Sequence, residues 1–205
     1  MKTANVLFEP INIGKLTLKN RFMRSATHEW LASDEGFVTD RMIDFYRKLA
    51  QGDIGLIVPG YAYVDPSGKS SVRQGAIYDD RFIPGYQKLV NAVHQYDSKI
   101  ALQIVHGGRQ VKPRLIGTHT PLAPSAVKDS SSGITPKEMS EEEIQYIKQK
   151  FVEAIVRAKD VKEYFYCPRV IFFERVLKIR IPTQHLIRGK EMHERVWTVS
   201  YTHLR

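Results

Sequence analysis

The feature that most constrains this chain is a threefold alternation of short apolar runs with longer amphipathic stretches. Apolar runs at residues 21–27, 54–58 and 99–105 are followed by helical patterns at 39–50, 79–96 and 140–159. Strands that alternate with helices of this length call for a parallel sheet, either doubly wound or closed into a barrel. No glycine-rich dinucleotide fingerprint follows the first run, and no P-loop occurs anywhere. The expectation is therefore an α/β chain of the (β/α)8 TIM-barrel type, carrying the first three to four βα units. Ahead of them, Ile11, Ile13, Leu16 and Leu18 alternate with polar residues on either side of Gly14-Lys15, which reads as a β-hairpin.

The helix boundaries are marked by capping chemistry. Thr39 precedes a face of Met42, Ile43, Phe45, Tyr46 and Leu49 that stops at Gly52-Asp53. Asp79 or Asp80 opens the second helix, with Phe82, Tyr86, Leu89, Val90 and Val93 inward. Ser140 and Glu143 have the spacing of a capping box for the third. Between these elements lie loops with their own turn signals, among them Asp65-Pro66-Ser67-Gly68 and the proline-rich residues 110–139.

The loops that follow the strands are where both architectures place their sites. The first strand changes from bulky to small at Arg24-Ser25-Ala26-Thr27, and the second ends in Pro59-Gly60. The third, Leu102-Gln103-Ile104-Val105-His106-Gly107-Gly108-Arg109, sets one amide in an apolar run. A buried Gln needs partners, since an unsatisfied amide costs roughly 1–3 kcal/mol. Gln103 either bonds a neighbouring backbone or makes a bidentate contact to a planar heterocycle over the strand end. Gly107-Gly108 would let a ligand approach the backbone, with Arg109 as a permanent cation beside it. His28 reads as a solvated loop residue and His106 as a packing or strand-end group, so neither is assigned catalysis.

Composition narrows the function classes. The single cysteine, Cys167, allows no intrachain disulfide and no thiolate zinc site, and fits a reducing cytoplasm. The N-terminus lacks a signal-peptide core, no apolar run reaches membrane-spanning length, and no metal site is expected. The formal charge is +9, but a net +4 of it lies in residues 160–205, and no basic stripe with interleaved aromatics occurs. Nucleic-acid and membrane partners are therefore not expected.

Three separate motifs in order, residues 7–21, Arg24-Ser25-Ala26-Thr27 and residues 102–109, resemble the old yellow enzyme family. Leu122-Ala123-Pro124-Ser125-Ala126 fits the family's third βα loop. The resemblance covers about residues 5–159. It implies an FMN-containing, NAD(P)H-dependent ene-reductase on a (β/α)8 barrel, acting on a small activated alkene. It also implies that the flavin is lined by Arg24, Ser25, Ala26 and Thr27, with Thr27 near the N5/C4 carbonyl edge. Gly60 would lie under the ring and Gln103 on its pyrimidine edge.

Beyond Ala158-Lys159 the resemblance stops, and the family's substrate-binding histidine pair and proton-donating tyrosine have no match. Residues 160–205 are expected to be a frame-shifted or disordered basic tail on an N-terminal barrel portion, residues 1–159. A neighbouring reading frame across 172–178 restores a family-like segment, and 199–205 resemble translated adaptor DNA. No catalytic residue is therefore assigned. The alternative function is a catalytically inactive truncated fragment or an anion-binding module.

Overall fold

The computed structural model describes residues 6–14, 16–115, 117 and 120–161. The tail beyond residue 161, including Cys167 and the expected frame shift, lies outside the described residues.

Strands β1 (Ile11–Ile13) and β2 (Leu16–Leu18) form the expected antiparallel hairpin, with Ile11 opposite Leu18 and Ile13 opposite Leu16. Strand β3 (Met23–Arg24) then leads to helix α1 (Asp40–Gln51), where the Thr39 hydroxyl accepts from the Met42 N–H at 3.2 Å. The second unit is β4 (Leu56–Ile57), β5 (Ala62–Tyr63) and α2 (Ile83–His94). Asp79 caps not α2 itself but a short 3-10 turn, Asp80–Phe82, that runs straight into it. The third unit is β6 (Lys99–Ile100), β7 (Ile104–Val105), the parallel pair β8 (Leu122–Ala123) and β9 (Lys137–Glu138), and α3 (Glu141–Asp160).

Strands β3, β4 and β6 lie side by side and parallel, with Met23, Leu56 and Lys99 level with one another. Each expected strand is cut shorter than its apolar run. The cause is a change of register. Ile57 is opposite Ile100, but Ala62 is opposite Ile104, so the second strand spends one more residue than the third across the same interval. The extra residue falls in the segment holding Pro59 and Gly60, where a proline without an N–H cannot continue a central ladder. The residues after Gly60 form β5 ahead of the Asp65-Pro66-Ser67-Gly68 turn, and Tyr63 bridges to Ala76.

The two faces of the sheet bury different things. Ile57, Ile100, Leu102 and Ile104 pack with Met42, Tyr46, Tyr86, Leu89, Val93, Ala154 and Ile155 of the three helices. A smaller cluster of Leu18, Leu56, Val58 and Ala101, flanked by Ile11, Leu16 and Ala26, lies on the other face beneath the hairpin. All three helices thus contribute to one core on one side of the strands. A doubly wound sheet would place helices on both faces, so this is the arrangement of consecutive barrel units.

Candidate functional site

Counting forward from the level row Met23–Leu56–Lys99, each second residue faces the same side of the sheet. The next row is Ser25, Val58 and Ala101. Thr27, Gly60 and Gln103 each lie three residues past the paired row Arg24–Ile57–Ile100, and the slip at Pro59-Gly60 brings Tyr61, the residue before Ala62, opposite Gln103. The residues expected from three separate stretches of sequence therefore converge on one ledge, at the C-terminal ends of adjacent parallel strands. Val58 and Ala101 form a buried apolar floor below it. Ser25, Thr27 and Gln103 are exposed on it, and Ala26 is half-buried beside the floor.

Gln103 departs from expectation in one respect: its side chain is exposed, not buried. Leu102 and Ile104, both fully buried, take the helix-facing side, and alternation turns Gln103 to the other. Its backbone carbonyl accepts from the Ala62 N–H at 2.9 Å, while its side-chain amide has no hydrogen bond among the described residues. An open amide with two donors and an acceptor above an apolar floor suits the edge of a planar heterocycle.

Arg24 points the opposite way. Its guanidinium donates to the Val58 and Ser25 carbonyls at 3.0 Å each and to the Thr27 carbonyl at 3.2 Å, and it lies over the Phe45 and Tyr46 rings. The side chain thereby ties the ends of the first two strands together and leaves only its backbone to the ledge. This also accounts for Phe45, which the helical pattern assigns to the core face yet remains partly exposed beneath that guanidinium. The Thr27 hydroxyl donates weakly to the Ser25 carbonyl at 3.4 Å.

Gly60 is buried, and its N–H donates to the Tyr46 hydroxyl at 2.9 Å. A Cβ on Gly60 would collide with Glu29 Oε2. A side chain at position 60 would have to push that carboxyl aside. Glu29 and Tyr46 were not legible as site residues, since one reads as loop and the other as a helix core position.

The histidines are both engaged. His28 Nε2 is 3.1 Å from the Val72 carbonyl, and its ring contacts those of Trp30 and Tyr61 at 4.7 and 5.6 Å. Trp30 sits at φ 54, a costly backbone for a bulky residue. His106 joins three elements. The Gly108 N–H donates to its Nδ1 at 3.2 Å, so Nε2 carries the proton and donates to Ser67 Oγ at 3.1 Å. Ser67 in turn donates to Asp65 Oδ1, and the Tyr146 hydroxyl of α3 donates to Asp65 Oδ2 at 2.9 Å. A histidine that donates to a serine cannot also deprotonate it, so this Asp, Ser and His group is a structural clip and not a nucleophile. Burial lowers the His106 pKa, with Asp65 opposing it more weakly.

Gly107 and Gly108 were expected to admit a ligand. A Cβ at Gly107 would instead meet Ser70 Cβ and Val111 Cγ2 at 2.8 Å each, and Gly108 takes φ +57. Both glycines answer to the loop's own packing. Arg109 is exposed, and its charge helps the Ser131 and Ser132 hydroxyls hold the Asp129 carboxyl down at about 2. Among the described residues no cluster of three His, Cys, Asp or Glu side chains could hold a metal ion. No described helix is long and apolar enough to cross a membrane.

Comparison with known proteins adds to this geometry. The NADH:flavin oxidoreductase / NADH oxidase family matches residues 6–163. An NADH oxidase from Thermoanaerobacter brockii is 42% identical over 154 residues, 75% of this chain and 24% of that protein. A 2-naphthoyl-CoA reductase solved with 2-naphthoyl-CoA superposes at TM-score 0.72 and 29% identity, over 77% of this chain and 26% of its own. The old yellow enzyme of Pichia sp. AKU4542 superposes at TM-score 0.70 and 30% identity, over 76% of this chain and 43% of its own. The chain thus spans between about a quarter and under a half of these relatives.

Proposed function

Because the chain belongs to the NADH:flavin oxidoreductase / NADH oxidase family and carries the N-terminal βα units of an old yellow enzyme barrel, we propose that its strand ends form the first part of an FMN site. In this reading the Gln103 amide bonds the pyrimidine edge of the isoalloxazine, and Thr27 lies at the N5/C4 carbonyl edge. Gly60 keeps the ledge low beneath the ring, and Ser25, Ala26 and the backbone of Arg24 line its border. One observation carries the proposal: Thr27, Gly60 and Gln103 lie just past the C-terminal ends of three adjacent parallel strands, and the exposed Gln103 amide has no partner among the described residues beside the apolar floor of Val58 and Ala101.

When bound, FMN supplies hydride transfer between NAD(P)H and an electron-poor acceptor. The residues of these strand ends bind and orient; none of them is placed to give or take the substrate's proton. The reaction we propose for the whole barrel is reduction of a small activated alkene at the expense of NADH or NADPH. The groups that hold the alkene and protonate it belong to later strands of such a barrel.

Quenching of FMN fluorescence by the purified chain tests the binding step. Saturable quenching is expected, weakened about tenfold in Gln103→Leu, the loss of roughly one to two hydrogen bonds to the ring. Equal binding by wild type and Gln103→Leu would place the flavin elsewhere. Bleaching of the flavin by either nicotinamide nucleotide under anaerobic conditions, with recovery on adding an activated alkene, is the result expected of the complete barrel. A flavin that neither nucleotide reduces contradicts the oxidoreductase reading.

A further inference from the structure

Glu29 lies in the loop after β3, half-buried beside Gly60. Its carboxyl occupies the space that any side chain at position 60 would need. The Tyr46 hydroxyl, fully buried, accepts from the Gly60 N–H at 2.9 Å and is left with its own proton to place. The Glu29 carboxyl is the neighbouring group that bears on it electrostatically. Glu29 Oε2 itself is buried and makes no hydrogen bond of ordinary geometry among the described residues. A polar oxygen enclosed in this way is costly. The loop that carries it is held on both sides of Glu29: His28 bonds the Val72 carbonyl and Trp30 takes a positive φ.

We propose that Glu29 is a positioning residue of the ledge, which fixes the Gly60 N–H through the Tyr46 hydroxyl at the corner where the second strand slips register. The proposal rests on the flavin reading only for the purpose the corner serves; the hydrogen bond from the Gly60 N–H to the Tyr46 hydroxyl and the Glu29 carboxyl set against Gly60 stand without it. Its consequence is that the ledge level is set from the α1 side, by a group that does not itself reach the ledge.

Charge refines the inference. The groups that face the carboxyl are Tyr46 on α1, Arg24 on β3, His28 in the same loop and Tyr86 on α2. Desolvation raises the Glu29 pKa, against the smaller downward pulls of Tyr46, Arg24 and His28. The folded chain therefore holds this proton more tightly than the unfolded chain, whose glutamates ionise near pH 4.3. Its contribution to stability is full at low pH and declines as pH rises above that value.

The test compares wild type with Glu29→Gln and Glu29→Ala. Amide hydrogen exchange at Gly60, read by NMR on the flavin-free protein, should accelerate about tenfold or more in Glu29→Ala and stay near wild type in Glu29→Gln, which still accepts from Tyr46. Thermal midpoints should show the wild type losing ground to Glu29→Gln as pH rises above about 4.3. FMN affinity should follow Gly60 protection, weaker in Glu29→Ala and restored in Glu29→Gln. Unchanged Gly60 exchange in Glu29→Ala, or exchange in Glu29→Gln as fast as in Glu29→Ala, overturns the proposal. Failure of every variant to bind FMN counts against the flavin reading alone, because the exchange and the midpoints still judge Glu29.

Discussion

At the scale of single residues, His106 is fixed by its partners more tightly than its place at a strand end suggests. Its Nδ1 accepts from one loop's backbone and its Nε2 donates into another loop's Ser67. Protonation at Nδ1 would set two N–H groups against each other. Burial already holds the imidazole below its usual range, so the unfolded chain takes up the proton first. Stability is therefore complete above about pH 6.5 and falls as pH drops below it. The urea-midpoint difference between wild type and His106→Gln should accordingly shrink from pH 7 to pH 5, and a constant difference would show that His106 does not titrate. Gly60→Ala should cost about 1–3 kcal/mol by forcing a methyl into the Glu29 carboxyl. The pair Gly60→Ala with Glu29→Ala should cost less than the sum of the two single changes. In the sequence, Gly60 could be read only as a strand stop or a small residue. The reason for it lies 31 residues earlier in Glu29, and no local pattern encodes a contact of that kind.

At the scale of elements, local chemistry was the more legible part. The capping box at the start of α3 forms in both directions: Ser140 Oγ accepts from the Glu143 N–H at 3.2 Å, and Glu143 accepts from the Ser140 N–H at 2.9 Å. Ser140→Ala should lower stability by about 1 kcal/mol in urea unfolding, with the loss confined to α3 in amide exchange. An unchanged midpoint would mean that packing of Ile147, Ala154 and Ile155 alone holds the helix. The strands were legible as apolar runs but not in their lengths, because the register change between β4–β6 and β5–β7 depends on a neighbouring strand. The exposure of Gln103 was hidden for a related reason. A strand with a helix-packed face and an open face reads as uniformly apolar when the open side carries Ala101 and a single amide.

At the scale of the whole molecule, three βα units lie in order around one side of a shared core, and β3 and β6 are the outer strands of their sheet. Among the described residues no strand pairs with the outer side of either. Phe8, Met23 and Leu7 are 63%, 58% and 49% exposed. Unpaired parallel edges beside exposed apolar side chains favour association. The chain made alone should show growth in light scattering as its concentration is raised, whereas scattering of a monomer at every concentration would contradict this. Barrel type was legible in the sequence, since it follows from the strand–helix alternation and the missing phosphate motifs. How the separate motifs meet was not, because that depends on the offset between neighbouring strands. The central claim is that flavin binds where those offsets gather Thr27, Gly60 and Gln103 at the ends of adjacent strands. Hydrogen–deuterium exchange with and without FMN tests it most directly. The expected footprint is slowed exchange at residues 24–28, 60–62 and 103–105, with the hairpin of β1 and β2 unchanged. Protection confined to other segments, or none at saturating FMN, would contradict it.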